Sequence, residues 1–190
     1  MKIIIAGAGA VGFHLAELLA KENQDITLID TDGEVLDHVS THLDVMTIVG
    51  DAASIHVLED AKISNTDLFL AVTTSGSTNL LLAIMAKQRG AKKTIARVNN
   101  PEYFESLQKE YFKKLGVDVL TSPQLLAAQE IERLLQRGSF TDVFEFEKGR
   151  ISIVGFTLDT TCPLINKTIQ EIDESKDFTF RGIALLRGHE

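Results

Sequence analysis

The sequence predicts an α/β fold: a Rossmann-like, doubly wound parallel sheet followed by a crossover helix and a partial C-terminal β-rich lobe. Three observations predict it. Short apolar runs alternate with segments of helical periodicity along most of the 190 residues, as expected when helices cover both faces of a parallel sheet. A G-x-G-x-x-G pattern joins the first run to the first helical segment, and an acidic residue ends the second run.

Each strand is predicted from a run rich in Ile, Val and Leu, and each helix from apolar residues recurring at intervals of three and four. The predicted strands are Lys2 to Ala6, Asp25 to Asp30, Val45 to Val49, Leu68 to Val72, Lys93 to Arg97 and Val117 to Leu120. The predicted helices are Val11 to Lys21, Gly33 to Thr41, Ser54 to Ala61, Thr78 to Arg89 and Pro101 to Leu115. Because strand and helix alternate, one parallel sheet is expected.

The pattern changes after residue 121, where Ser122 is a capping residue and Pro123 suits the first position of a helix. A helix is predicted from Gln124 to Arg137, ended by Gly138. We therefore expect a Rossmann-type domain at 1–122, a crossover or linker helix at 123–138 and a partial lobe at 139–190.

A β-hairpin is predicted in the last segment, where Val143 to Phe146 and Ile151 to Leu158 flank a turn containing Gly149. A further strand is predicted from Arg181 to Arg187. These strands have little core of their own. We expect either that another chain completes this lobe or that the chain is a piece of a longer protein.

Composition excludes several classes of protein. Lys and Arg number 19 against 27 Asp and Glu, a net charge of -8, so the basic face that nucleic-acid binding needs is not expected. The single cysteine, Cys162, excludes an internal disulfide and a cysteine-rich zinc site. No apolar run reaches about 18 residues, so no direct membrane insertion is expected.

The segment from Gly7 to Gly12 lies between a strand and a helix, the position of a dinucleotide-binding loop. The first glycine permits a tight turn, the second admits a pyrophosphate close to the backbone, and the third lets helix and strand pack closely. The helix N-terminus then offers free amides to phosphates. The alternative is that the glycines serve only a turn. The candidate phosphate-binding residues are Gly7, Gly9, Ala10, Val11 and Gly12.

Asp30 ends the second predicted strand, 18 residues after Gly12, near the spacing of about 20 expected for the acid that accepts hydrogen bonds from ribose hydroxyls. A carboxylate there repels a 2′-phosphate, which favours NAD over NADP, and Asp32 is a candidate to share the role. The alternative for Asp30 is a loop cap exposed to water.

Polar side chains also lie at the ends of the next three predicted strands or directly after them. Asp51 is a candidate acceptor for an adenine amino group, or it caps the next helix, a role open to Ser54 as well. Arg97 offers a guanidinium to phosphate oxygens, or it forms a structural ion pair. The hydroxyl-rich loop after the fourth strand either contacts phosphate or ribose or caps a helix. Its candidate ligands are Thr73, Thr74 and Asn79.

Catalytic motifs are missing from the sequence. Leucines stand four residues after Tyr103 and Tyr111, which excludes the Tyr-x-x-x-Lys pair, and no H-E-x-x-H, G-x-S-x-G or G-x-x-x-x-G-K occurs. After Leu135 only a small β-rich piece remains where a dehydrogenase would carry its substrate domain. The sequence thus predicts a nucleotide that acts as a signal and a protein that is not an enzyme. The alternatives are the cofactor domain of an NAD-dependent oxidoreductase and a module that senses ATP or ADP.

The chain as a whole resembles the RCK/KTN (TrkA-N) family, the cytoplasmic regulators of potassium transporters and channels, and in particular its TrkA-type subunits. The segments that carry the resemblance are MKIIIAGAGAVGFHLAELL, LID ending at Asp30, VGDA at 49–52, AVTTSGSTNLL at 71–81, ARVNNPEY at 96–103 and SPQLLAAQEI at 122–131. One departure is that Gly76 and Ser77 stand where the family commonly has Asp-Glu, which removes two carboxylates. The segment from Thr161 to Arg187 resembles the beginning of the family's C-terminal lobe.

The resemblance implies a function and a set of ligand contacts. It implies binding of NAD(H), with ATP or ADP as alternatives, and a membrane-embedded potassium transporter subunit of the TrkH/TrkG type as partner. It also implies a homodimer that pairs through the helices after the fifth and sixth strands and assembles into a ring, located in the cytoplasm at the inner face of the plasma membrane. The implied contacts are Gly7, Gly9, Val11 and Gly12 at the phosphates, Asp30 at the ribose, Asp51 and Ala52 around the adenine, and Thr73, Asn79 and Arg97 along the rest.

Overall fold

Six short strands form one parallel sheet in the computed structural model of the chain, which describes residues 1–136, 142–146, 150–158, 162–174 and 182–185. Their order across the sheet is β3-β2-β1-β4-β5-β6, and every neighbouring pair is parallel. The predicted doubly wound fold is therefore confirmed. The strands are β1 (Lys2–Ala6), β2 (Asp25–Asp30), β3 (Met46–Val49), β4 (Leu68–Ala71), β5 (Lys93–Arg97) and β6 (Val119–Thr121).

Five helices connect these strands, close to their predicted positions. The predicted helix at 101–115 is two elements, because Glu105 has an extended backbone (φ -62°, ψ 145°) between the 3₁₀ turn Pro101–Phe104 and the following helix. A second 3₁₀ turn, Ile63–Asn65, precedes β4. The helices are α1 (Ala10–Lys21), α2 (Gly33–His42), α3 (Ile55–Asp60), α4 (Gly76–Gln88) and α5 (Ser106–Leu115).

The core lies on both faces of the sheet because successive strand residues point to opposite sides. On one face, Ile3, Ile5 and Leu28 pack with Ala16 of α1 and Leu36 of α2. The other face carries Ile4, Ala6, Ile29 and Phe69, which pack with Leu58 of α3 and Leu82 of α4. Each of the large apolar side chains contributes about 1.5–3 kcal/mol by leaving water.

This two-sided packing positions a crevice. Since α1 and α2 cover one face and α3 and α4 the other, the chain changes face between β3 and β4. The strand order therefore reverses between β1 and β4. In open α/β sheets ligands bind beyond the carboxyl ends of the strands at such a reversal.

The opposite edge of the sheet is held by Asp118, which lies just before β6. Its Oδ2 accepts hydrogen bonds from Lys87 Nζ (2.7 Å) and from the Thr94 amide (2.8 Å). The Thr94 hydroxyl donates to the Gly116 carbonyl at 2.6 Å. Burial raises the pKa of Asp118, but the hydrogen bonds from Lys87 and Thr94 and the charge of Lys87 outweigh it, so the net pKa lies below its ordinary value.

A carboxyl with a lowered folded-state pKa stabilises the fold at pH values above its unfolded pKa of about 3.9 and loses that contribution as pH falls through the folded value. We expect Lys87→Met to lower the free energy of unfolding by about 1–2 kcal/mol at pH 7, because the half-buried pair loses its cation. The difference from the unsubstituted protein should shrink below pH 3. Urea unfolding at both pH values measures it, and an equal difference at both would contradict the assignment.

The chain divides into two compact units, Met1–Glu130 and Ile131–Glu190. This division falls within helix α6 (Pro123–Gln136), which begins as predicted with the Ser122 hydroxyl accepting from the Leu125 amide at 3.3 Å. The predicted domain boundaries at 122 and 138 remain predictions. Among the described helices, none combines the length and apolar content needed to cross a bilayer.

The second unit contains the predicted hairpin, with β7 (Asp142–Phe146) antiparallel to β8 (Ile151–Gly155). Helix α7 (Ile169–Glu174) was not predicted. The strand predicted at 181–187 is described only at 182–185, where no strand forms. Gly138 and Gly149, predicted to end α6 and to form the hairpin turn, lie outside the described residues.

Candidate functional site

The loop after β1 requires its first glycine. Gly7 has a φ of 103°, a left-handed conformation that L side chains rarely adopt. A Cβ there would lie 2.9 Å from the Thr73 amide nitrogen. The Gly7 amide donates to the Ile29 carbonyl at 2.8 Å. Gly7 therefore brings the loops after β1 and β4 into contact and ties them to β2.

The other two glycines differ in what surrounds them. A Cβ on Gly12 would collide with the carbonyl oxygen of Gly7, so this glycine lets α1 pack closely on the loop. A Cβ on Gly9 would meet no atom within 4 Å. Folding does not need a glycine at Gly9, and its missing side chain leaves open space beside the backbone.

Helix α1 begins next to this open space. Its first hydrogen bond joins the Phe13 amide to the Gly9 carbonyl at 2.9 Å, so the amides of residues 10–12 have no acceptor within the helix. The first turn contains no acidic residue. The helix N-terminus therefore presents amides and a partial positive charge to an anion.

Asp30 accepts hydrogen bonds from two loops, the one after β1 and the one after β2. One carboxylate oxygen accepts from the Ala8 amide at 2.7 Å and the other from the Asp32 amide at 3.0 Å. The Asp30 residue is half-buried at the end of β2, and its bond to the Asp32 amide is a local loop cap. A carboxylate has about four acceptor positions, so two remain open to further donors, and the predicted contact of Asp30 with ribose remains a prediction.

Two nearby aspartates have local roles in the structure. Asp32 caps α2, its Oδ1 accepting from the amides of Glu34 and Val35 at 3.0 and 3.3 Å. Asp51 is exposed, and its Oδ1 accepts from the Ala53 amide at 2.8 Å in a turn that precedes α3. Ala52 is 7% exposed and belongs to the core. The predicted contacts of Asp32 with ribose and of Asp51 and Ala52 with adenine remain predictions.

Asn79 corrects the expectation that it lines the site directly. It is 0% exposed, and its Oδ1 accepts from the Thr73 amide (2.9 Å) and hydroxyl (2.6 Å). Its Nδ2 donates to the carbonyls of Thr73 (3.0 Å) and Arg97 (2.8 Å). All four hydrogen-bonding positions of the amide are thus used. Asn79 positions the ends of β4 and β5 rather than contacting a ligand.

The rest of this loop begins helix α4. Ser75 is its capping residue, accepting from the Thr78 amide at 3.2 Å, whereas Thr74 is exposed. The first turn of α4 contains no acidic residue. With Gly76 and Ser77 in place of carboxylates, the β4 side of the crevice carries no negative charge from this turn.

Arg97 is the last residue of β5, the strand beside β4 in the sheet. In the described part of the chain, no carboxylate oxygen lies within 4 Å of the Arg97 guanidinium, the distance limit for an ion pair. The buried Nε of Arg97 has no hydrogen-bond partner among these residues. The described residues thus give no support to the alternative of a structural ion pair, and the predicted contact of Arg97 with phosphate remains a prediction. Ile95 packs on the face that α1 covers, and residue 97 shares that face by strand alternation.

The site is thus electrostatically divided. The carboxylates lie at or after the ends of β2 and β3, where ribose and adenine are expected; they are Asp30, Asp32 and Asp51. By contrast, β1 and β4 lead into the N-termini of α1 and α4, which have no acidic residue in the first turn, and β5 ends at Arg97.

A cavity of about 680 Å³ lies elsewhere, between α3 and α4. Its charged residues Glu59 and Arg89 pair with each other at 3.4 Å, so it offers no comparable anion site.

Residues 3–123 match the TrkA-N domain family. The chain is 45% identical over 155 residues to "Trk system potassium uptake protein TrkA homolog" of Archaeoglobus fulgidus, covering 81% of this chain and 35% of that protein. It is 32% identical over 178 residues to the protein of the same name from Methanothermobacter thermautotrophicus, covering 94% of this chain and 80% of that protein. The chain therefore spans about a third of the first relative and most of the second.

Solved structures share the fold. The TrkA-N domain of the inner membrane protein ybaL from Escherichia coli superposes with a TM-score of 0.62 at 18% identity, over 70% of this chain and 96% of that one. The GsuK channel bound to NAD gives 0.57 at 16% identity, over 76% of this chain and 25% of that one. The Kef C-terminal domain of Shewanella denitrificans bound to AMP gives 0.56 at 20% identity, over 73% and 82%.

Proposed function

The chain belongs to the TrkA-N domain family, and on that premise we propose that it is an NAD(H)-binding regulatory subunit of a potassium uptake system. Two of its relatives carry the name of potassium uptake proteins. Two proteins of the same fold hold NAD or AMP. These findings support an adenine nucleotide as the ligand.

The observation that carries the proposal is the set of unsatisfied anion-binding groups around an open crevice. The amides of residues 10–12 lack acceptors within α1, and the buried Nε of Arg97 lacks a partner. A buried donor without a partner costs about 1–3 kcal/mol. A diphosphate satisfies both, and the open space at Gly9 admits it to the backbone. Asp30 then accepts from the adenosine ribose.

Regulation follows if the nucleotide binds two arrangements of the assembled subunits with different affinity. A ligand shifts an equilibrium only by its differential affinity for the two states. We propose that the nucleotide biases the assembly in this way and that an attached membrane transporter, of the TrkH/TrkG type, responds. In this account the nucleotide is not consumed and the protein is not an enzyme.

We also propose that the chain forms homodimers that assemble into a ring at the inner, cytoplasmic face of the plasma membrane. Helix α5 supports such pairing, since Leu107, Tyr111 and Leu115 are 82%, 58% and 37% exposed at successive turns of one face. Leu126 near the start of α6 is 58% exposed. Apolar side chains exposed together in this way are typical of an interaction surface.

Calorimetric titration with NADH, NAD⁺, ADP and ATP tests the proposal. Saturable binding of NADH at one site per chain is the expected result, and the absorbance of NADH should stay constant when carbonyl substrates are added. The absence of binding by every nucleotide, or steady NADH oxidation, would contradict it. Tighter binding of ADP or ATP would support the nucleotide-sensing alternative.

Arg97→Met is expected to weaken nucleotide binding about tenfold or more, because a charge-assisted hydrogen bond contributes about 1.5–3 kcal/mol and 1.4 kcal/mol is a factor of ten. Folding stability should not fall, since the guanidinium makes no ion pair with the described residues. The matched control is Arg89→Met. This substitution removes a cation at the end of α4 that pairs with Glu59 of α3. Equal nucleotide affinities of the two variants would show that Arg97 does not bind the nucleotide.

A further inference from the structure

Two histidines lie together on the exposed side of α2, and neither belongs to the candidate nucleotide site. His38 and His42 are both exposed and four residues apart, a spacing that places side chains one helical turn apart on one face. We propose that they form a two-ligand site for a divalent transition-metal ion of the zinc, nickel and copper class. This proposal does not depend on the nucleotide-binding function.

The two rings are close enough to share one ion. Their centroids are 4.2 Å apart with an interplanar angle of 44°. Imidazole nitrogens bind zinc at roughly 2.0–2.1 Å, which places the centroids of two rings on one ion roughly 4–6 Å apart. The observed separation of 4.2 Å lies within that range.

A hydrogen bond to the backbone determines which nitrogen of His42 can bind a metal. Its Nδ1 lies 2.8 Å from the His38 carbonyl oxygen, and because a carbonyl only accepts, Nδ1 carries the proton. Nε2 is then left with the lone pair that a metal binds. Metal-bound histidines usually donate their other N–H to a carbonyl or carboxylate in this way.

Phe13 of α1 supports both rings from the side. Its ring centroid lies 5.6 Å from that of His38 and 6.5 Å from that of His42. Contact with a third ring restricts the rotamers of the histidines, so less conformational freedom is lost when an ion binds. The first turn of α1 and the end of α2 are thereby linked through the site.

The surroundings favour a cation. His42 is the last residue of α2, where the helix dipole places partial negative charge, and the net charge of the chain is -8. Within the described residues, the histidines paired with carboxylates are His14 and His56, not this pair. The same residues provide no cluster of three ligating groups. Water, or a group from another molecule, therefore completes the coordination.

The ligand types identify the class of ion. Imidazole nitrogen suits zinc, copper and nickel, whereas magnesium and calcium prefer oxygen ligands. Two neutral imidazoles bind Cu²⁺ more tightly than Ni²⁺ or Zn²⁺ in the usual order of stability. We expect the same order here, and no binding of Mg²⁺ at these residues.

Titration of the untagged chain with Ni²⁺ and with Zn²⁺ tests the proposal. Binding of one ion per chain should weaken about tenfold or more in both His38→Gln and His42→Gln, since even loss of a supporting hydrogen bond lowers metal affinity about 10- to 100-fold. The matched control His56→Gln, at an exposed helical histidine, should keep the original affinity. Unchanged affinity in either His38→Gln or His42→Gln would overturn the two-ligand site.

A second measurement uses the unsubstituted protein, so it does not depend on how the variants fold. In long-range ¹H–¹⁵N spectra of the histidine rings, substoichiometric Cu²⁺ should broaden the resonances of His38 and His42 before those of His14 and His56. Within His42 the ion should act from the Nε2 side. Equal broadening of all five histidine rings, including that of His189, would overturn the proposal, because it would show unselective binding to histidines.

Discussion

We expect Gly9→Val to lower nucleotide affinity by about a hundredfold or more while the first unit keeps its fold. The valine side chain would fill the open space beside the N-terminus of α1, where a diphosphate would otherwise reach the amides. Loss of two charge-assisted hydrogen bonds, at about 1.5–3 kcal/mol each, accounts for the factor. Calorimetric titration with NADH measures the affinity, and urea unfolding measures the stability.

The fold should tolerate this change because the backbone of Gly9 is extended (φ -61°, ψ -172°), a conformation open to every residue. Replacing a glycine N-cap by valine costs about 1 kcal/mol. Gly182→Val is the matched control, since a Cβ at Gly182 also meets no atom within 4 Å, and it should leave affinity unchanged. Retention of NADH binding by Gly9→Val would contradict the proposed phosphate position.

Asn79→Ala is expected to give the largest loss of stability, about 3–5 kcal/mol. The substitution removes four hydrogen bonds in a fully buried position. It also leaves the backbone groups of Thr73 and the carbonyl of Arg97 without partners, and each buried unsatisfied group costs about 1–3 kcal/mol. Because domains are stable by only about 5–15 kcal/mol, thermal and urea unfolding should both detect the change.

Asn65→Ala provides the control for Asn79→Ala, since Asn65 is an exposed asparagine at the end of a 3₁₀ turn. Exposed substitutions of this kind usually change stability by no more than about 0.5 kcal/mol. Similar losses in the two variants would show that Asn79 does not hold the ends of β4 and β5 together. In folded Asn79→Ala protein, NADH affinity should also fall, because Thr73 and Arg97 lose their common anchor.

The sheet could be predicted from sequence because buried parallel strands are apolar throughout. β1, β2 and β5 have the predicted bounds. β6 begins two residues later than predicted, because Val117 is buried against α4 and α5 side chains and Asp118 is engaged with Thr94 and Lys87. An apolar run alone does not distinguish such core residues from a strand.

The start of helix α7 has a capping pattern that is visible in the sequence. The Thr168 hydroxyl accepts from the Glu171 amide at 3.3 Å, and the Glu171 carboxylate accepts from the Thr168 amide at 2.7 Å. This reciprocal pair is the Thr-x-x-Glu capping box. The spacing alone predicts a helix start at Thr168.

The roles within the site were harder to predict than its location. Strand ends and the glycine pattern placed Gly7, Asp30 and Arg97 at one edge of the sheet. The Asp30 bond to the Ala8 amide and the Asn79 bond to the Arg97 carbonyl join residues 22 and 18 positions apart. Such partners are set by tertiary packing, so local pattern does not reveal whether a polar residue touches a ligand or supports one.

A crystal structure of the chain with NADH tests the central claim most directly. We expect the diphosphate to lie against the amides of residues 10–12 beside Gly9, with the adenosine ribose on Asp30 and the Arg97 guanidinium on a phosphate oxygen. Density for NADH only in the groove between α3 and α4, or an empty crevice at saturating NADH, would contradict the account.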